Sequence, residues 1–170
     1  MSWTPTQNIL DVTRITDNLF AYIEANYEAA LIWANPTGNL PPVEKFYKSA
    51  VGRVTMVFPS LMLIDKANAT SDEQDVLDGE FRLRFEFVIK GGDAEKLVSD
   101  AAYYAAALES MLINIESHTL CAAAKTEMFA ARDSIETIFD QIGQDKVSAS
   151  IYYQAFQTEI TYRLRASAYL

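Results

Sequence analysis

Residues 80–90 have the sequence EFRLRFEFVIK, and this stretch decides the fold class. Its apolar side chains occupy every second position, namely Phe81, Leu83, Phe85, Phe87 and Ile89. Successive side chains of a β-strand point to opposite sides, so a period of two places these five on one face. We therefore predict a half-buried strand here, with its apolar face against another layer.

A second alternating stretch lies near the end of the chain, over residues 156–166. Its alternate positions hold Phe156, Thr158, Ile160, Tyr162, Leu164 and Ala166. The same period predicts a second long strand, and two half-buried strands share a core most simply in one sheet. We expect the apolar faces of both stretches to lie on the same side of that sheet.

The segment after the first strand has the features of a helix. Gly91 and Gly92 end the strand, and Asp93 is a residue type that caps helices. Residues 94–115 then carry apolar side chains at helical spacing. The members expected to cover the sheet are Leu97, Ala101, Leu108 and Leu112.

A long helix is also predicted near the start of the chain, over residues 5–26. The sequence TPTQ at 4–7 fits a capping box with proline at the first helical position. The apolar run at 29–33 suits a helix or a buried strand equally well, and both alternatives stay open. Further on, Pro59 cannot donate to a strand ladder, so a strand is expected over residues 60–66.

Residues 65–79 are rich in acids and have no periodic apolar pattern, which predicts a long acidic loop. Such a segment cannot repay its ordering entropy by burial within its own domain, so we expect it to be ordered by a partner. The candidate interface residues are Asp72, Glu73, Asp75, Val76, Leu77 and Asp78. Val76 and Leu77 would be the apolar anchor, and the acids would set specificity.

Residues 120–142 are harder to assign. The part from 122 to 132 favours a helix, whereas 134–142 suits a helix or a strand. Taken together, the elements predict one α+β domain over residues 1–170. Its mostly antiparallel sheet has a long N-terminal helix and a second long helix packed on one face.

The amino-acid composition argues against some classes of function. The chain has 23 acidic and 14 basic residues, a formal charge of −9, which is the wrong sign for binding phosphates. The N-terminal sequence MSWTP does not look like a signal peptide, and no apolar run is long enough for a membrane span. One cysteine allows no intramolecular disulfide, so we expect a soluble cytoplasmic protein with no membrane partner.

A search for catalytic or cofactor-binding residues finds none. His118 and Cys121 could share a helix face, but they lack the further ligands or orienting groups that a zinc site or a catalytic dyad needs. We therefore expect no enzyme activity, no catalytic residues, no metal and no cofactor. The paired arginines Arg82/Arg84 and Arg163/Arg165 alternate with acids and are expected to form cross-strand ion pairs.

The order of elements resembles that of tail terminator and neck (tail completion) proteins of tailed bacteriophages. The parts that carry the resemblance are the proline-led strand entry FPSLMLI at 58–64, the strand–Gly91-Gly92-Asp93–helix unit, and the strand at the C-terminal end. The resemblance spans most of the chain, with 120–142 as an extra segment relative to the smaller members of that family.

This resemblance implies a non-enzymatic virion subunit, assembled in the host cytoplasm. Its members form a homo-oligomeric ring, commonly a hexamer, at the tail-neck junction. The ring terminates the tail tube and joins it to the head connector or adaptor protein, while DNA passes through without specific binding.

A different class of protein fits the same elements. A small α+β ligand-binding domain, possibly an enzyme, would wrap a curved sheet around an apolar pocket. Its polar handles would be Tyr103, Tyr104, Tyr152 and Tyr153. A ring or aggregate in solution would favour the assembly subunit, and a small species that binds hydrophobic probes would favour the pocket domain.

Overall fold

A computed structural model describes residues 8–51, 56–73 and 75–168. In chain order the elements are α1 (Val12–Ala34), β1 (Lys45–Tyr47), β2 (Ser60–Glu73), β3 (Val76–Gly91), α2 (Ala94–Asn114), α3 (Ser117–Leu120), β4 (Met128–Phe139), β5 (Gly143–Gln144) and β6 (Tyr152–Ser167). The protein is therefore α+β, as the alternating stretches predict.

The strands form one mixed sheet in the order β1-β2-β3-β6-β4, with β5 paired to the start of β6. β1 is parallel to β2, and every other pairing is antiparallel. The centre of the sheet is the β3–β6 pair, which stays in register from Val76 opposite Ser167 to Gly91 opposite Tyr152. These are the two strands with the clearest period of two.

The main core lies between one face of this sheet and the helices α1 and α2. Leu83 lies opposite Ile160 and Phe87 opposite Phe156, so their side chains share a face. All the side chains predicted for this layer are buried in one cluster: Phe81, Leu83, Phe85, Phe87, Phe156, Ile160, Tyr162, Leu164, Leu97, Ala101, Leu108 and Leu112. The predicted topology of the core is confirmed.

The boundaries of α1 differ from the prediction at both ends. Asn8 to Leu10 are not helical, and Asp11 is the N-cap, its carboxylate accepting a hydrogen bond from the Arg14 N–H. A start at residue 5 is therefore wrong, while the TPTQ cap itself lies outside the described residues. At the other end the helix runs to Ala34, because Leu31 continues its buried stripe.

α2 begins and ends close to its predicted bounds. Asp93 caps it through a 3.0 Å hydrogen bond that its carboxylate accepts from the Lys96 N–H. Ala101, Ala105 and Ala107 are buried, and small side chains there let the helix lie close to its neighbours. Across the described ranges, no helix combines the length and apolarity that crossing a membrane requires.

The predicted acidic loop at 65–79 is wrong. β2 and β3 form a long hairpin through this segment, with Glu73 opposite Val76 and the turn residue Asp75 at a positive φ of 73°. β2 extends so far because β3 is held along its other side by β6, which leaves a ladder of N–H and C=O groups for β2 to pair with. Tertiary pairing thus overrides the low strand propensity of a polar sequence.

The helix favoured at 122–132 is also wrong, because none of these residues is helical. The short helix α3 ends at Leu120, and β4 begins at Met128. β4 pairs with β6 throughout, apart from a bulge between Arg132 and Ser134. The bulge shifts the apolar alternation by one residue, which hides the period of two from a pattern search.

Candidate assembly surface

The hairpin carries all six predicted interface residues. Every side chain from Asp65 to Asp72 is exposed on β2, and Glu73 is the last residue of that strand. The Asp75 carbonyl in the turn accepts a hydrogen bond from the Ala168 N–H at 2.9 Å, which ties the tip to the end of β6. The acids therefore lie on an ordered projection of the sheet.

The apolar anchor is only partly available. Val76 is half-buried, but Leu77 is 7% exposed and packs in a small cluster with Ala166 and Ala168. Partly buried Leu10 and Met128 complete that cluster. The burial that was expected to come from a partner comes, for Leu77, from the protein's own N-terminal segment and β4.

The sheet face away from α1 and α2, called the back face here, carries the paired arginines. Arg84 Nη2 lies 2.7 Å from Glu159 Oε2, and Arg82 Nε lies 3.8 Å from the same oxygen. At the hairpin end, Arg165 donates two hydrogen bonds to Asp78, at 2.8 and 3.3 Å. Cross-strand ion pairing is confirmed.

The fourth arginine, Arg163, is paired as well, with Nε at 3.0 Å from Asp133 Oδ1. Asp133 is the bulge residue of β4, so the irregularity of the strand supplies the partner of Arg163.

The ion pairs also shift pKa values. The hydrogen bond from Arg165 holds the pKa of Asp78 below its ordinary value, and the hydrogen bond to Glu159 raises the pKa of Arg84. The four guanidinium groups of this face thus pair with three carboxylates, because Arg82 and Arg84 share Glu159.

The back face is concave at the hairpin end. An open groove of about 720 Å³ lies there, spanning all four long strands. The small side chains Ala69 and Ser71 of β2 form one wall, and Phe129 and Ala131 of β4 form the other. Its floor holds Asp78, Glu80, Arg163 and Arg165. The helices therefore cover the other face of the sheet, and the charged residues line this groove.

The residues considered for catalysis do not form a site. His118 Nδ1 lies 3.0 Å from Glu116 Oε2, and both side chains are largely exposed. Cys121 is half-buried, and burial raises the pKa of its thiol, which lowers the thiolate fraction that nucleophilic chemistry needs. Over residues 8–51, 56–73 and 75–168, His, Cys, Asp and Glu side chains form no cluster able to hold a metal ion.

The four tyrosines of the ligand-binding alternative have separate roles. Tyr104 is buried in the core and donates its hydroxyl to the Pro41 carbonyl, and Tyr153 donates to Asp145 at 2.8 Å. Tyr103 is exposed, and Tyr152 is packed at the rim of the core. The groove residues in the described part of the chain include none of these tyrosines.

Sequence analysis missed two exposed apolar side chains on β4, one on each face of the sheet. Ile138 is 59% exposed and Phe139 is 48% exposed, both near the C-terminal end of that strand. Phe139 also contacts Phe156, with ring centroids 5.6 Å apart. No signal in the sequence marks these residues as a surface, because their exposure depends on β4 being an edge strand.

Among the comparisons with known proteins, the comparison by structure finds matches. No protein-family model matches the chain, and no curated protein matches it by sequence. By structure it is similar to a chain of the "Virion of native gene transfer agent (GTA) particle", with a TM-score of 0.50 at 10% sequence identity. The match covers 95% of this chain and 100% of that chain, so the two share a fold along their whole length.

Proposed function

We propose that this protein is a structural subunit of a phage-type virion, acting as a single non-enzymatic domain. The observation that carries the proposal is the fold shared with a virion chain over 95% of this chain. Its location is the tail-neck junction, where it forms a ring that terminates the tail tube and contacts the head connector. This role is the one that the order of elements implies in tail terminator and neck proteins.

The charges of the back face suit a ring through which DNA passes. Each of the four arginines there has a carboxylate within ion-pair distance, with Glu159 shared by Arg82 and Arg84, so most of their positive charge is already compensated. With a formal charge of −9 for the whole chain, the wall would offer phosphates few attractive contacts. DNA would therefore move past without being held.

The hairpin is the proposed contact with a neighbouring subunit or ring. Asp72 and Asp75 are exposed at its tip, and Glu73 is the last residue of β2 between them. The tip is the part of the hairpin that would meet basic groups of the tail tube protein or the connector. Attraction between exposed charges weakens as salt rises, so this contact should be salt-sensitive.

Mass photometry and negative-stain imaging of the purified chain test the proposal. Six copies of a 19.0 kDa chain give a hexamer of about 114 kDa, and we expect ring-shaped particles with a central hole. A species that stays monomeric at all concentrations, with and without tail tube protein, would contradict it. A monomer that binds hydrophobic probes in the 720 Å³ groove would favour the ligand-binding alternative.

A further inference from the structure

The sheet has two open edges, one at each side. β1 pairs only with Ser60–Met62 of β2, so within the described residues the outer edge of β2 is uncovered from residue 65 onward. On the other side β4 pairs, among the strands of the described ranges, with β6 alone. Near its start the Ala130 N–H donates to Ser117 Oγ at 2.9 Å, which caps that part of the edge. The open stretch of β4 is therefore 134–139, where Ile138 and Phe139 are exposed.

Long exposed strand edges are templates for pairing with another chain. Three antiparallel pairings separate β2 from β4, namely β2–β3, β3–β6 and β6–β4, so the two edge strands run in opposite directions. Copies related by a rotation axis keep these directions. A β2 edge placed beside the β4 edge of the next copy would therefore pair antiparallel and continue the same kind of ladder.

The open stretches of β2 and β4 lie at different positions along the strand direction. Through the ladder, Glu136 is level with Glu159, Arg84 and then Asp65. If two copies paired at this level, Glu136 would lie beside Asp65 of the next copy, and the two negative charges would repel each other. Phe139 would also meet the part of β2 that β1 already covers. A stagger is needed, and closed sheets require one in any case.

Side-chain alternation restricts the stagger to even numbers of residues, because back-face residues must stay on the back face. A stagger of about four residues brings all of 134–139 opposite 66–71. Ile138 then lies beside Ala67 and Glu136 beside Ala69, so the exposed isoleucine meets a small side chain and the acid meets no like charge.

We propose that neighbouring copies of this chain join by antiparallel pairing of β4 residues 134–139 with β2 residues 66–71. Ile138 of one copy lies beside Ala67 of the next. The contact is heterologous, and the grooved back face is directed toward the ring axis, so the helices face outward and the charged face lines the hole. This inference rests on the proposed ring and specifies how it closes.

Disulfide cross-linking tests the register. In a Cys121→Ser background, Ala67→Cys and Ile138→Cys are combined in one chain. Within a copy the two positions are separated by three strand spacings, about 14 Å, which is beyond the reach of a disulfide. Between copies the proposed pairing brings them to about 5 Å. Mild oxidation should yield a ladder of covalent multiples of 19.0 kDa up to the closed ring.

The controls separate the possible outcomes. Each single-cysteine variant should give no covalent dimer, because a heterologous contact never brings a position near its own copy. The level pair Asp65→Cys with Glu136→Cys should not cross-link, and efficient cross-linking there would overturn the proposed register. Rings that form normally but resist cross-linking by both pairs would overturn the edge pairing while leaving the ring intact.

Amide hydrogen exchange gives an independent measurement. Assembly should slow exchange in 66–71 and 134–139 together, since each stretch is the partner of the other. Protection of 66–71 only after tail tube protein is added would mean that another protein occupies this edge, and the proposal would fall. Absence of any oligomer would overturn both the ring and its closure.

Discussion

Phe87 is the side chain on which the aromatic core depends most. It is fully buried, and its ring lies 4.6 Å from that of Tyr104, 5.1 Å from Phe156 and 5.9 Å from Tyr27. It therefore joins α2, β6 and α1. Truncation to alanine removes buried apolar surface and leaves a cavity, which for phenylalanine costs about 3–5 kcal/mol. Three aromatic contacts are lost as well, so we expect the upper end of this range.

Urea unfolding followed by circular dichroism measures the effect, at concentrations low enough to keep the protein monomeric. Phe129→Ala is the matched control, because Phe129 is 60% exposed on β4 and its truncation should change the unfolding free energy by less than about 0.5 kcal/mol. A cost below about 1 kcal/mol for Phe87→Ala, or equal costs for both variants, would refute the packing described for this core.

Three further predictions concern single groups. Asp11→Ala removes the N-cap of α1 and a 3.1 Å hydrogen bond from the Lys125 N–H, and should cost about 1–3 kcal/mol in thermal unfolding, with Asp11→Asn costing less. The pKa of Asp78 should lie below its ordinary 3.8, so its contribution to stability is present above that pH and disappears as pH falls through the lower folded value. Arg165→Gln should return that pKa toward 3.8 in an NMR titration, and no change would contradict the ion pair. Burial raises the pKa of Tyr27 and Tyr104 above 10.0, so ionisation favours the unfolded state and stability should decline above about pH 10. Absorbance at alkaline pH should show these tyrosines ionising only with unfolding; their ionisation in the folded protein would show that they are accessible.

The sequence by itself was sufficient for the parts of the fold in which local pattern and tertiary role agree. Apolar and polar residues alternate along β3 and β6 because one face of each strand is buried under the helices. Burial of one face therefore produces a period of two in the sequence. Asp93 and the buried stripe of α2 mark that helix for the same reason. The cross-strand arginine pairs also follow from local alternation of charge. Each of these features leaves a regular spacing of residue types within a single strand or helix.

Only the tertiary structure decided what happens at the two edges of the sheet. β2 residues 65–72 are exposed on both faces, so no burial pattern exists in their sequence, and the strand forms because β3 offers a ladder to pair with. In β4 the bulge at Asp133 breaks the alternation, and pairing of the other eleven residues with β6 makes the segment a strand all the same. The edges proposed for assembly belong to these two strands. Every non-proline residue can form the backbone hydrogen bonds of a strand edge, so such pairing leaves no pattern in the sequence. The surface at these edges can therefore be identified only from the folded structure.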